Sequence, residues 1–459
     1  MNTIHKNKRR KFIIPLTVTL ISLLIISIIV AYFMLRNPIE EIDGALVYSS
    51  AKKHSQIDIN LELVKDDEIN NVLMEKSTVA LKSFKQKAKE DNSSYSKLRY
   101  TNEYFNSTNL LNMIVKSETS LLIEDKEHLN SSFEHISYFK DKQIYFNDFF
   151  EDEEKLHLIQ QNIYFEILNF CVDNEVSYDK DVIDKTIKEN SNNIAFFIKA
   201  DGIHLYLNNF LVGNESKLNY ELILPYDVIM NFLNAEIKDE LLNANIIKVK
   251  EKAKRDLTGL EDEKLICITF DDGPSKLTSK LIDELNVRKV KATFFVLGNR
   301  VNKYKDILKK AYDSGHQIGS HTYEHSDLTD LTEIEIYKDL KKTSDNIYKI
   351  IGERPTMVRP PYGATNKLVL KTCTVPMVNW DVDTRDWEYR NEKRIVNSII
   401  KNAVDGDLIL LHDLYPTSVS GAIKAIDILT QKGFKFVTVE EYAQIRGIDM
   451  TKEKAYWGF

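Results

Sequence analysis

The sequence predicts an α/β protein in which a barrel of parallel βα units follows a membrane-spanning helix and an α+β domain. Three observations carry this reading. From Leu265 onward, short apolar runs ("LICITF", "KATFFVLG", "HQIGSHT", "TMVRPP", "MVNWDVD", "DLILLHD", "KFVTV") alternate with amphipathic segments, as parallel strands joined by helical crossovers do. Polar residues gather at the C-terminal ends of these runs, where a parallel barrel assembles its site. Near the N-terminus, Phe12 to Leu35 form an uncharged stretch of 24 residues dominated by Ile, Leu and Val.

That stretch is long enough to cross a hydrocarbon core of roughly 30 Å as a helix. The basic run Lys6, Lys8, Arg9, Arg10, Lys11 precedes it and should stay in the cytoplasm. The segment ends in Tyr32-Phe33-Met34-Leu35-Arg36 without small residues suited to cleavage, so it reads as an uncleaved signal anchor. The expected order is a cytoplasmic segment (1–11), the anchor (12–35), a spacer (36–55), an extracytoplasmic α+β domain (56–245), a linker (246–262) and the barrel (263–448). The expected location is the cell membrane, single-pass, with the barrel outside the cell.

Length and composition agree with this division. A chain of 459 residues holds an enzyme-sized module and a companion, and 43% hydrophobic with 29% charged residues is a globular composition. With 62 basic against 69 acidic residues, the net charge of −7 gives no reason to expect nucleic acid as a partner. Cys171, Cys267 and Cys373 are odd in number and far apart, so they form neither a disulfide framework nor a metal site and are expected to be buried.

In the companion region, Asn190, Asn192 and Asn193 read as a turn ahead of alternating strands, with a second turn at Asp201-Gly202 and a closing helix. Residues 160–240 are similar to the extracellular domain of lysozyme-responsive anti-sigma factors, which implies a binding or spacing module with a protein or wall partner. His204 reads there as a strand residue and not a ligand. The charged stretch "IIKVKEKAKRDLTGLEDEK" reads as the linker.

The first barrel run ends in Thr269-Phe270-Asp271-Asp272-Gly273-Pro274, two carboxylates before a sharp turn. Alone, this reads as a solvated turn. The third run delivers His321-Thr322-Tyr323-Glu324-His325, whose two imidazoles at i, i+4 can face one ion. Two imidazoles and one carboxylate leave coordination positions open, the pattern of a catalytic metal. His316, at the other end of its run, reads as structural. Arg359-Pro360-Pro361-Tyr362-Gly363, Asp383-Thr384-Arg385-Asp386-Trp387 and Leu410-Leu411-His412-Asp413 follow, each at the end of an apolar run. Singly they read as a loop, a turn and a core histidine; together they point to one site.

Ordered as TFDDGP, SHTYEH, RPPYG, DTRDW and LLH, these five motifs resemble those of the NodB-homology polysaccharide deacetylases, carbohydrate esterase family four, over about 262–445. No catalytic position departs from the pattern. The resemblance implies a distorted (β/α)7 barrel and a divalent metal, expected to be zinc, held by Asp272, His321 and His325. It further implies Asp271 as general base, Arg359 as the residue holding that carboxylate, and the backbone N–H of Tyr362 as an oxyanion donor. His412 would be the general acid, oriented and charged by Asp386, while Trp387 and Tyr362 offer faces to a sugar ring. Asp383 has no assigned role.

The activity so implied is removal of N-acetyl groups from a cell-wall glycan, with peptidoglycan N-acetylglucosamine as leading substrate and lysozyme resistance as the consequence. Chitin oligomers, N-acetylmuramic acid, biofilm glycans and acetylated xylan stand as alternatives. A rival of another class is a wall- or lysozyme-binding sensor with an inactive barrel, against which the intact motifs argue.

Overall fold

The computed structural model describes residues 39–247, 255–401, 403–451 and 454–459. The predicted spanning segment lies outside them; among the described residues, no helix is long and apolar enough to cross a membrane.

Among the described residues, the companion region holds two large hydrophobic clusters and a small one of Ile114, Ala195, Phe197 and Tyr206. A seven-stranded sheet runs in chain order from Glu40–Ile42 to Lys142–Gln143, antiparallel except where the helix Asp67–Glu90 crosses between Ser55–Glu62 and Tyr95–Asn106. Asp66 caps that helix through Glu68 and Ile69 N–H groups, and its Ile69, Leu73, Leu81 and Phe84 stripe packs on Ile57, Ile59 and Leu61. The expected spacer is therefore corrected: Ala45–Lys52 is a sheet strand in register with Ser55–Glu62, and Leu46 is buried. The second cluster packs the helices Glu153–Asp173 and Lys180–Asn190 on a three-stranded antiparallel sheet, Ala195–Lys199, Gly202–Leu211 and Lys217–Pro225. The Asn-rich turn falls at Ser191–Asn193 as expected. Gly202 is required by close approach, because a Cβ there would lie 2.4 Å from the Leu224 carbonyl oxygen.

Every strand pairing in the C-terminal region is parallel. The strand Lys264–Gly273 lies between Thr293–Val296 and Leu408–His412, with Gln317–Ser320 and Val382–Asp383 outside them, and Phe434–Phe436 pairs with the first strand near its start. Two predicted strands are corrected. "TMVRPP" contributes a single bridging residue, Val358, because Pro355, Pro360 and Pro361 around it cannot donate to a ladder. "MVNWDVD" divides into Met377–Val378 and Val382–Asp383. Both predicted ends also shift. Arg255, inside the expected linker, already reaches the Phe436 carbonyl at 3.3 Å, and the tail past 448 adds a strand, Ala455–Tyr456, beside Met377–Val378.

The companion region docks on the helix Glu333–Ile351. Phe165 stacks on Tyr337 at 4.7 Å between ring centroids, the Tyr337 hydroxyl donates to Glu166 at 2.9 Å, and Lys180 meets the buried Glu333 at 2.7 Å. Lys338 pairs with Asp173, and Arg354 with Asp227. All three cysteines are buried, as expected, and none forms a disulfide.

Candidate active site

Asp271 and His412 are register partners on adjacent parallel strands, so two motifs distant in sequence stand side by side. Successive strand residues alternate faces, which would leave Asp272 pointing away from this pair. The pairing with Thr293–Val296 slips between Asp271 and Gly273, and Asp272 takes a left-handed conformation at φ 68°. This bulge re-aims the second carboxylate toward the histidines.

Arg359 is fully buried, and each of its nitrogens finds an acceptor. Nη1 donates to Asp271 Oδ1 at 2.9 Å and Thr269 Oγ1 at 2.6 Å, Nε to the Val378 carbonyl at 3.0 Å, and Nη2 to the Asn379 carbonyl at 2.8 Å. Its guanidinium lies 4.1 Å over the Phe295 ring. Burial pushes the Asp271 carboxyl up, and the charges of Arg359 and His412 pull it back toward ionisation.

The loop after Gln317–Ser320 carries both histidines. His321 Nδ1 donates to the Arg359 carbonyl at 2.7 Å, which leaves Nε2 as the lone-pair end, and burial lowers its pKa to about 3. Thr322 and His325 adopt positive φ of 67° and 65°, and the Thr322 hydroxyl accepts the His325 N–H at 3.1 Å. Asp339, on the docking helix, accepts the Tyr323 N–H at 2.8 Å.

Asp272, His321 and His325 offer ligand atoms within 4.8 Å of one another. Asp272 Oδ1 lies 3.6 Å from His321 Nε2 and 3.5 Å from His325 Nε2, is buried, and has no hydrogen-bond partner. A buried carboxylate oxygen facing two imidazole nitrogens and satisfied by none fits a cation among them. The donor set suits zinc and other divalent first-row ions.

His412 is held by Asp386, which is fully buried. Burial alone would lower the His412 pKa, but the hydrogen bond and charge of Asp386, with the charges of Asp271 and Asp272, raise it to about 9. Tyr362 stands in left-handed backbone at φ 59°, 69% exposed, with its hydroxyl 3.2 Å from His325 Nδ1. Its side chain thus touches the cluster as well. Trp387 is exposed beside Asp386, and its N–H donates to Asp386 Oδ1 at 3.0 Å. Asp383 faces solvent and accepts the Arg385 N–H at 2.8 Å, shaping the loop. His316 is buried at the far end of its strand, where Nδ1 accepts the Ala292 N–H at 3.2 Å. His204 lies between Asp201 and Glu221 in the companion region, away from the cluster.

Sequence reasoning overlooked three supports. Thr269 shares Arg359 with Asp271, and Asp339 fixes the histidine loop. Asp413 is wholly buried, accepts from Thr278 Oγ1 at 2.5 Å, and is pushed up to about 7 by burial. A Cβ on Gly273 would lie 2.6 Å from its Oδ2, so it backs the turn after Asp272. Thr269 lies within the TFDDGP motif and Asp413 directly follows LLH, which was the available signal for both; Asp339 had none.

A family model described as polysaccharide deacetylase matches residues 259–374, which include the first three motifs. The chain is 33% identical over 258 residues to a peptidoglycan-N-acetylglucosamine deacetylase of Bacillus cereus, covering 92% of that protein and 54% of this one. It belongs to the polysaccharide deacetylase family. Other members are similar over part of their length. A Bacillus subtilis peptidoglycan-N-acetylmuramic acid deacetylase, PdaC, is 34% identical over 65% of each chain. A Listeria monocytogenes peptidoglycan-N-acetylglucosamine deacetylase, PgdA, is 38% identical over 42% of this chain and 41% of its own. This deacetylase-family chain thus spans less than two thirds of the length of these two relatives.

Proposed function

We propose that the protein is a metal-dependent hydrolase that removes N-acetyl groups from amino sugars of cell-wall peptidoglycan. The observation that carries this is the Asp272, His321 and His325 donor set flanked by two differently tuned pairs, Asp271 with Arg359 and His412 with Asp386. When bound, a divalent cation supplies a Lewis acid and acidifies water.

The residues divide the remaining work. Asp271, ion-paired with Arg359, takes a proton from the attacking water as the water oxygen bonds to the acetamide carbon. The Tyr362 N–H donates to the oxyanion that develops. His412, charged near neutral pH, gives its proton to the sugar nitrogen as the C–N bond breaks, releasing acetate and a free amine. Asp386 holds the imidazolium in place.

N-acetylglucosamine is the favoured sugar, since a relative of which this chain covers 92% is named for it. N-acetylmuramic acid is the second reading, favoured by a relative matched over 307 residues. Anchoring by residues 12–35 would set the site against the cell's own wall, and the new amines would add positive charge that hinders lysozyme.

The test is acetate release from purified peptidoglycan by the detergent-solubilised full chain, with and without chelator, and with Asp271→Asn. Mass spectrometry of the digested product identifies the sugar. Chelator-sensitive release that is lost in the variant supports the reading. Metal uptake without release redirects it to other acetylated glycans or to a sensor with an inactive barrel, and unchanged lysozyme sensitivity of a knockout would remove the physiological part.

A further inference from the structure

We propose that Trp457, in the C-terminal tail, is a stacking platform for a neutral sugar ring of the glycan adjoining the residue being deacetylated. The inference rests on the proposed function and extends its site beyond the five motifs.

The topology supplies the first argument. Ala455–Tyr456 pairs in parallel with Met377–Val378, through Met377↔Ala455 and Val378↔Tyr456, and Met377 bridges in parallel to Val358. The three segments therefore run side by side in the same direction. Arg359 follows Val358, Trp380 follows the second strand, and Trp457 follows the third.

Trp457 and Trp380 also lie against the loop that follows Arg359, which is the second argument. Gly363 directly follows Tyr362, the proposed oxyanion donor, and has φ 66°. A Cβ built on it would meet Trp457 Cη2 at 3.0 Å and Trp380 Cη2 at 3.3 Å, so both indoles abut the loop that lines the acyl site. The Trp457 and Trp380 rings lie 5.8 Å apart at 57°.

Exposure combined with a fixed backbone is the third. Trp457 is 54% exposed, yet the chain beneath it is tied down: Asn379 N–H donates to the Tyr456 carbonyl at 2.7 Å, and Met377 N–H to the Lys454 carbonyl at 3.2 Å. Gly458 follows at φ 96°, where a side chain would collide with Asp381. An indole held open to water on a rigid support offers apolar area at little entropic cost, and a pyranose ring presents a matching face of C–H groups. Tyr362 and Trp387 are the other exposed aromatics of the site.

The test compares the full chain with Trp457→Ala and Trp457→Phe. Hydrolysis of N-acetylglucosamine oligomers and of a small soluble acetyl ester is followed, together with direct binding of the oligomer by calorimetry. Trp457→Ala should raise the oligomer KM and Kd roughly tenfold, equivalent to about 1.4 kcal/mol, with kcat held and the oligomer-to-ester preference reduced. Trp457→Phe should restore most of the binding. Equal oligomer affinity in parent and alanine variant overturns the proposal, as does a loss in proportion on oligomer and ester, which would mark a structural role. If the parent hydrolyses neither substrate, the proposed function fails, and calorimetry still decides whether Trp457 binds the sugar.

Discussion

Asp386 grips His412 twice: Oδ1 lies 2.8 Å from the ring Nδ1, and Oδ2 accepts the backbone N–H of the same residue at 2.8 Å. One buried carboxylate therefore sets both the charge of the imidazole and its position. The His412 pKa is raised from its ordinary 6.5 to about 9, so the proton is present at neutral pH and lost as pH rises through about 9. Because the folded value is the higher one, the pair also adds stability that is complete below about 6.5 and disappears through about 9. Asp386→Asn should move the alkaline limb of the kcat–pH profile toward lower pH and reduce kcat by about 10²-fold or more.

Asp271 and Asp272 are neighbours whose replacements should behave differently. Asp272→Ala removes a donor from the three-residue cluster, and metal content measured by mass spectrometry should fall with activity. Asp271→Asn should keep the metal and lose about 10²–10⁴-fold in kcat. Equal metal loss in both variants would contradict the division of roles.

Arg359 is fully buried and ion-paired to Asp271. Its removal leaves a buried carboxylate without a partner, so Arg359→Ala should cost about 3–5 kcal/mol in denaturant unfolding as well as activity. Lysine should rescue only part, because one ammonium cannot reach Asp271, Thr269 and two carbonyls in the same fork.

Gly273 has no room for a side chain against Asp413. Gly273→Ala should lower stability by about 1–3 kcal/mol, read from the unfolding midpoint, and should weaken metal binding because the displaced turn carries Asp272.

The site was legible where a motif coincided with a strand end. Asp271, His321 and His412 could each be placed from an apolar run followed by a polar residue, and the structure brings them to one rim. Strands were less legible where proline or brevity hid the period: Val358 is a single bridge, and the tail "AYWGF" is too short to show alternation, so Trp457 went unnoticed. The expected spacer has a similar cause, since "ALVYSSAK" shows no clean alternation of apolar and polar residues, and Leu46 alone in it is fully buried. Contacts such as Tyr323 with Asp339 depend on how a helix packs over a loop, which no local pattern announces.

Thr322 is a β-branched residue at φ 67°, and Asp272, His325 and Tyr362 share its left-handed backbone. Each such residue costs of order 1 kcal/mol or more and persists only because surrounding contacts hold it. The geometric labour of aiming these side chains is thereby completed once, when the chain folds, and need not be repeated at every turnover. A variant that relaxed this backbone would be a sturdier protein and a poorer catalyst.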